Sequence, residues 1–437
     1  MVIRSTRVVL PSGIQPAEIH IDGDRIVSVR PYNPDPTSDL RPTGSTKATA
    51  GKPTSDVIMP GLVDTHVHVN EPGRTDWEGF VTASAAAAAG GVTTIVDMPL
   101  NSVPATTNVA GLDAKRAAAR SATVNVEFWG GVIPGNTGEL DALADAGVRG
   151  FKCFMSPSGV EEFPHVDERD LRLALPILAR RRLPLLVHAE SPAALLPAPE
   201  RADPRRYATW LATRPARAEV DGIALLIDLC REFRAHIHVV HLATAEAVSM
   251  LRAARRETLP ITVETCPHYL SFSAEEISDG ATMFKCAPPI RDAANREALW
   301  RALEDGDIDL VASDHSPCPP AMKGDGDFMN AWGGIASLEL GLAATWTRAA
   351  ARAIQIDRIV EWLSAGPARL AGLTDRGMIA PGMRADLIAW DPDAEFTVEA
   401  QRLHHRHRRT AYEGLALRGR VRETYVGGEL VYREDAG

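Results

Sequence analysis

Four histidines, one aspartate and one lysine stand where their side chains could converge on a cation. His66 and His68 are two apart in Asp64-Thr65-His66-Val67-His68, so in an extended chain both point to one side. His188 closes the apolar run Leu185-Leu186-Val187, His241 closes Ile237-His238-Val239-Val240, and Asp314 follows Leu310-Val311-Ala312-Ser313. Neutral imidazoles together with a carboxylate form a donor set for a divalent metal ion. One histidine at a strand end is an ordinary hydrogen-bonded core residue. Three strand ends carrying histidine, with an aspartate on a fourth, are a different matter. Lys152 is the odd member, lying inside Gly150-Phe151-Lys152-Cys153-Phe154-Met155. An isolated ammonium in a buried apolar strand loses much of its hydration free energy unless something neutralises it.

These residues meet only if their runs are neighbouring strands of one sheet. From Val57 onward, short apolar runs alternate with Ala-, Leu- and Arg-rich helical stretches. The runs are 58–63, 93–96, 125–129, 150–155, 185–187, 237–240, 261–263 and 310–312. Helices are predicted between them at 77–89 (stopped by Gly90-Gly91), 171–182, 220–233 and 245–257. Eight strand–helix alternations predict an α/β protein built on a (β/α)8 TIM-like barrel, with the chemistry at the C-terminal ends of the strands. A doubly wound sheet is the alternative, but it rarely holds eight consecutive strands so regularly.

Both ends of the chain read as β-structure. Residues 2–30 form short alternating strands with a hairpin signal at Asp22-Gly23, and strands return at 385–390, 420–426 and 429–432. The simplest arrangement is a small β-sandwich domain formed by the two termini. The expected domains are 1–56 (N-terminal part of the sandwich), 57–376 (catalytic barrel) and 377–437 (C-terminal part). A Pro-, Thr-, Ser- and Gly-rich stretch at 31–56 reads as a long loop.

Composition excludes several classes. A formal charge of −10 over 437 residues argues against a nucleic-acid partner. The basic run His404 to Arg409 reads as a solvated turn or helix face. Five scattered cysteines without CxxC spacing fit reduced thiols in the cytoplasm. No window reaches the length of a membrane span, and the N-terminus lacks the apolar core of a signal peptide.

The motifs PGLVDTHVH, HAE, HLATAEA, ETCPHYL, APPIR and SDHSP, together with the buried lysine and the flanking β-strands, resemble the cyclic amidohydrolases of the amidohydrolase superfamily over nearly the whole chain. The resemblance implies two divalent metal ions, zinc in the first instance, with cobalt, manganese or iron possible. His66, His68 and Asp314 would hold one ion, and His188 and His241 the other. Lys152, carrying a carbamate derived from CO2, would bridge them. A carbamate places two anionic oxygens on a long arm between two dications that otherwise repel. Two metals sharing a hydroxide bring its pKa toward about 7. By that resemblance a hydroxide would attack a ring amide carbonyl, and Asp314 would move its proton to the leaving nitrogen. The family is commonly tetrameric, so a homo-oligomer acting on a small molecule is expected.

Other histidines receive plainer readings. His238 is out of phase with His241 and is expected to face the helix layer. His236 precedes the strand, His315 should point away from Asp314, and His268 should lie in a loop after Pro267.

The loops after the strands narrow the substrate. Dihydroorotases follow the paired histidines with Leu-Arg, whereas Val69-Asn70 stand here, and Glu71-Pro72-Gly73-Arg74 come next. Dihydropyrimidinases and hydantoinases place a tyrosine soon after the lysine, and Phe154 to Gly159 has none. The stretches NEPGRTDWEGF, DMPLNSVPATT, KCFMSPSG and SDHSPC most resemble the allantoinase branch, which opens the hydantoin ring of allantoin to give allantoate. Such a small neutral ureide needs donors and acceptors rather than a charge clamp. Candidates are Ser156, Ser158, Asn101, Arg74 and the backbone at Cys286, Ala287, Gly333 and Gly334. Dihydropyrimidinase, hydantoinase or dihydroorotase activity is the alternative. A non-catalytic scaffold that has lost its ligands is disfavoured, because every ligand position is filled.

Overall fold

Strict alternation organises the N-terminal strands. In Gly13–Asp22 the residues Ala17, Ile19 and Ile21 are buried while Glu18 and His20 are partly exposed, the period of two that a strand with one buried face requires. The computed structural model of the chain describes residues 1–32 and 54–435, so most of the expected 31–56 loop lies outside the described residues. Val2–Leu10, Gly13–Asp22 and Arg25–Pro31 form an antiparallel meander. The second turn uses Gly23 at φ 55°, a left-handed conformation that suits glycine.

The two termini join in one seven-stranded sheet. Thr54–Pro60 runs parallel to Val2–Leu10 and antiparallel to Leu387–Thr397, which pairs with Ala416–Val426 and through it with Glu429–Arg433. Here the structure departs from the sequence reading, which begins the barrel at Val57. Residues Val57 to Pro60 pair with Leu387 to Trp390 in the terminal sheet. The reason is that this strand is apolar on both faces. Ile58 joins Val8, Ile19, Leu387 and Ala389 in the sheet's own core, while Val57 and Met59 join Ile388 and Trp390 in the core shared with the barrel. A strand buried on both sides resembles a barrel strand in sequence.

The barrel begins one residue later, past Gly61. A Cβ there would lie 2.2 Å from the Thr93 hydroxyl, so only glycine lets the chain pass from one sheet to the other. Its strands are Leu62–Val67, Val92–Asp97, Asn125–Phe128 continuing beyond Trp129 as Gly130–Gly131, Phe151–Phe154, Leu185–His188, Ile237–Val239, Ile261–Thr265 and Leu310–Val311. Each pairs in parallel with the next. The ring closes where Ser313 N donates to the Asp64 carboxylate (3.2 Å) and His68 N donates to His315 O (2.9 Å). Side chains alternate around it: Phe151, Cys153, Leu185, Val187, Ile237, Val239, Ile261 and Val263 face the helix layer. Lys152, Leu186, His238 and Thr262, aligned by strand register, face the interior.

The expected helices form as Phe80–Ala89, Glu168–Arg181, Ala216–Phe233 and Val248–Arg256. Asp167 caps the second, its carboxylate accepting from Asp170 N while Asp170 reaches back to Asp167 N. Ala216–Phe233 buries Ile223, Leu226, Ile227 and Cys230 at helical spacing. Among the described residues no helix is long and apolar enough to cross a membrane.

Gly222 sets how closely that last helix approaches the barrel mouth, because a Cβ there would sit 2.2 Å from the carbonyl oxygen of Ala189, next to His188. Gly222→Ala should cost about 1–3 kcal/mol through overpacking, read as a lower midpoint of urea unfolding. An unchanged midpoint would show that the helix can back away freely.

Candidate active site

At the C-terminal ends of the strands, the Asp314 carboxylate faces both histidines of the first strand. Its Oδ1 lies 3.2 Å from His66 Nε2 and 3.4 Å from His68 Nε2. Ligand atoms of these three residues lie within 4.8 Å of one another, the spacing of donors around a single cation. His188 Nδ1 stands 3.2 Å from His241 Nε2, and the His241 ring lies 5.3 Å from that of His66, centre to centre. The structure therefore brings the four histidines and Asp314 into one buried cluster. Lys152 Nζ is wholly buried beside it without a hydrogen-bond partner among the described residues, 4.8 Å from the centre of the Phe154 ring. Phe154 in turn stacks on His188.

The backbone turns sharply where the ligands sit. His241 and Asp314 adopt positive φ, 41° and 46°, a conformation costing non-glycine residues on the order of 1–3 kcal/mol and found where function requires it. The turn at His241 corrects the expectation for His238. The phase argument assumes an extended chain from 238 to 241, and the chain is not extended there. His238 faces the barrel interior, with Nδ1 2.8 Å from Thr262 Oγ1 and Nε2 3.1 Å from Glu264 Oε2.

Glu264 is the residue that sequence reading left without a role, although it stands in the quoted ETCPHYL. Its other oxygen lies 2.5 Å from His66 Nδ1, so the carboxylate links His66 to His238. A carboxylate on Nδ1 fixes the tautomer and leaves Nε2 with its lone pair toward Asp314 and the cluster centre. Glu190 serves His188 similarly, at 2.6 Å from Nε2, and is itself held by Arg214. A strand-end signal was available for Glu190 alone, which stands two residues past His188 on the same face; His66, the partner of Glu264, stands on a different strand.

Burial sets the protonation states. It lowers His68 to about 4, and it lowers His188 and His241 as well, with Glu190 opposing in the first case and Lys152 adding in the second. Burial raises carboxyl groups, yet the facing histidines outweigh it at Asp314, which is held below the usual carboxylate range. At Glu264 His66 and His238 do the same, holding it at about 2. Burial brings Lys152 down to about 8, although Glu264 and Asp314 pull the other way. Burial thus favours neutral imidazoles at His68, His188 and His241, beside anionic carboxylates at Asp314 and Glu264, the forms that bind metal.

A cavity of about 270 Å³ opens above the cluster. Of the residues expected to touch substrate, Asn101, Ser158, Cys286, Ala287, Gly333 and Gly334 line it. Ser158 spends its hydroxyl on Phe163 O (2.6 Å), a turn contact, while Asn101 Nδ2 lies 3.5 Å from His68 Nδ1. Two expectations are not met. Ser156 is buried away from the lining with its hydroxyl unpartnered, and Arg74 pairs with Glu162 and donates to Asn101 O at 2.9 Å. The acid that reaches it comes from the loop after the fourth strand. Trp210, Arg214, Lys285 and Trp332 complete the wall; nothing in their local spacing marks them. His268 lies in a short helix, Pro267–Ser271, rather than a loop, and His315 Nδ1 accepts from Ser337 N (3.1 Å), away from the cluster. A roomier crevice of about 640 Å³ at the seam with the terminal sheet lies away from the histidines, and its charges pair locally, Arg420 with Glu434 and His404 with Glu339.

Residues 57–431 match the amidohydrolase family. An allantoinase of Streptomyces avermitilis is 49% identical over 432 residues, which cover 99% of this chain and 95% of that protein. An allantoinase of Arabidopsis thaliana is 43% identical over 449 residues, covering 99% and 88%. Among solved structures, the L-hydantoinase (dihydropyrimidinase) of Arthrobacter aurescens superposes with a TM-score of 0.89 at 28% identity, covering 99% of this chain and 96% of that one.

Glu264→Gln keeps the shape but removes the anion from His66 Nδ1. It should weaken divalent-metal binding about 10–100-fold, measured by metal titration of the stripped protein. Unaltered affinity would deny Glu264 its orienting role.

Proposed function

The chain belongs to the amidohydrolase family, and from that membership and the geometry of its barrel mouth we propose that it hydrolyses a cyclic ureide, opening allantoin to allantoate. The observation that carries the metal-dependent mechanism is Lys152: a fully buried amine with no partner among the described residues, set beside four histidines and a carboxylate. Burial leaves part of the amine neutral near pH 8. A neutral amine can add to CO2, losing one proton to give an N-carboxylate with two oxygens. His66, His68 and Asp314 would hold one divalent ion, His188 and His241 a second, and the carboxylated Lys152 both. Zinc suits this mixed nitrogen and oxygen set, as do cobalt, manganese and iron. When bound, such ions acidify water and polarise a carbonyl.

The chain's own residues supply the rest. Asp314, held as a carboxylate, accepts a proton at one oxygen and delivers it to the ring nitrogen that leaves as the amide opens. Glu264 and Glu190 keep His66 and His188 oriented while that happens. The cavity cations near the cluster are engaged already, Arg214 with Glu190 and Lys285 with the carbonyls of Met329 and Ala331. That supports a neutral substrate met by Asn101 and backbone groups. The second reading, a hydantoin or dihydropyrimidine, rests on the likeness to the Arthrobacter enzyme. The five cysteines are all buried and unpaired, which suits a reducing cytoplasm; a homotetramer is the assembly the family resemblance suggests.

Two experiments test this reading. With metal supplied, allantoin should exceed hydantoin, dihydrouracil and dihydroorotate in kcat/KM by at least about tenfold; a preference for any of the others would replace the substrate. Lys152→Ala should lose metal content and turnover together, with a short carboxylic acid restoring part of both. Full activity in that variant without added acid would sink the bridging role.

A further inference from the structure

His268 is fully buried, and neither ring nitrogen has a hydrogen-bond partner among the described residues. A buried imidazole normally satisfies at least one of them, because leaving a polar atom desolvated and unpaired costs free energy. Its ring is fixed from one side by Tyr269, 4.2 Å away centre to centre, whose hydroxyl donates to Pro288 O at 2.6 Å. Two further donors lie near it. Cys266 follows the seventh barrel strand, Asp314 follows the eighth, and ligand atoms of Cys266, His268 and Asp314 lie within 4.8 Å of one another, all buried. Asp314 therefore belongs to two groups at once, this one and the pair His66 and His68. A carboxylate has two oxygens and can serve a cation on each side.

We propose that Cys266, His268 and Asp314 form a third cation site, separate from the ligands assigned to the two ions of the catalytic centre, which takes a thiophilic divalent ion such as Zn2+, Cd2+ or Co2+ in excess. One thiolate, one imidazole and one carboxylate at this spacing match the ligands and tetrahedral preference of zinc, with the fourth position open to water. Binding displaces the Cys266 thiol proton to solvent as the sulfur becomes a thiolate ligand. Occupancy draws on Asp314, the group assigned to move the proton, so a third ion inhibits. This effect on turnover rests on the function proposed above, whereas the binding itself does not.

The test uses the metal alone on the full chain. Protein already loaded with its first ions is titrated with Co2+, following both stoichiometry and the thiolate-to-cobalt charge-transfer absorption; a parallel Zn2+ titration follows turnover. The expected result is one further equivalent per chain, a charge-transfer band rising with it, and falling turnover. Cys266→Ala should abolish the band, and both Cys266→Ala and His268→Asn should weaken the further equivalent by more than the tenfold that an outer ligand partner is worth, while keeping the earlier equivalents. No further equivalent, no thiolate band, or a band that survives in Cys266→Ala overturns the site. If the chain proves inactive on every cyclic amide, the function fails, but the band and the stoichiometry still decide the site.

Discussion

An unpaired amine at the bottom of a protein cavity is a demand on everything near it. Lys152 is held in a strand whose other side chains, Phe151, Cys153 and Phe154, offer it no acceptor, and its nitrogen touches the face of one of them. A permanent ammonium there would be costly, and a lysine kept only for packing would be better as leucine or methionine. The arrangement makes sense when the nitrogen is a site of chemistry rather than of charge. The same apolar wall that makes the ammonium unfavourable makes the amine nucleophilic, and burial likewise lowers the neighbouring His68 and His241 imidazoles toward their neutral forms.

The fold meets this demand by repeating one device around the ring. Apart from Lys152, which lies within Phe151–Phe154, each proposed ligand stands near or just past the C-terminal end of a strand, where a side chain can reach inward. A carboxylate from a nearby position then fixes the ring: Glu264 for His66 and Glu190 for His188. The carboxylates are anchored in turn. Glu264 also meets His238 and the backbone N of His241 at 3.3 Å, and Glu190 meets Arg214. Behind them, Glu219 accepts from the backbone N of Ala243 at 2.8 Å and pairs with Arg291 at 2.6 Å, steadying the loop after His241. These buried ion pairs contribute little net stability compared with apolar replacements, so their place beside the histidines is better explained by orientation.

How much of this was legible in the sequence follows from what period and spacing can carry. The eight strands and the flanking helices were readable, because a parallel barrel strand is a short apolar run and a helix shows its own period. The histidine pair and the strand-end residues were readable because strand ends are where a barrel keeps its chemistry. Val57 to Pro60 misled because two buried faces look alike whichever sheet covers them. His238 misled because positive φ at His241 breaks the alternation, and nothing in a histidine announces such a turn. Glu264 went without a role because its partner lies 198 residues away, and Arg74 because its acid, Glu162, lies beyond three further barrel strands. Contacts at such separations belong to the closure of the ring, not to any local stretch.

The cavity wall shows the same principle with cations. Lys285 and Lys323 are largely removed from water, and burial lowers both. Neither has a carboxylate within ion-pair distance among the described residues. Lys285 Nζ instead donates to Met329 O (3.1 Å) and Ala331 O (2.5 Å), and Lys323 Nζ to Trp332 O (3.0 Å) and Gly334 O (2.5 Å). Four carbonyls of one loop, between Met329 and Gly334, are thereby held by two ammonium groups, and that loop carries Trp332 against Trp77 and over Gly159. A carbonyl that accepts from an ammonium is polarised, and its own peptide N–H becomes a better donor on the far side. The roof is therefore rigid and donor-rich without presenting a free charge to the cavity. A wall of that kind discriminates by hydrogen-bond pattern and shape, which suits a small neutral ring dense in amides better than a substrate needing a counter-ion.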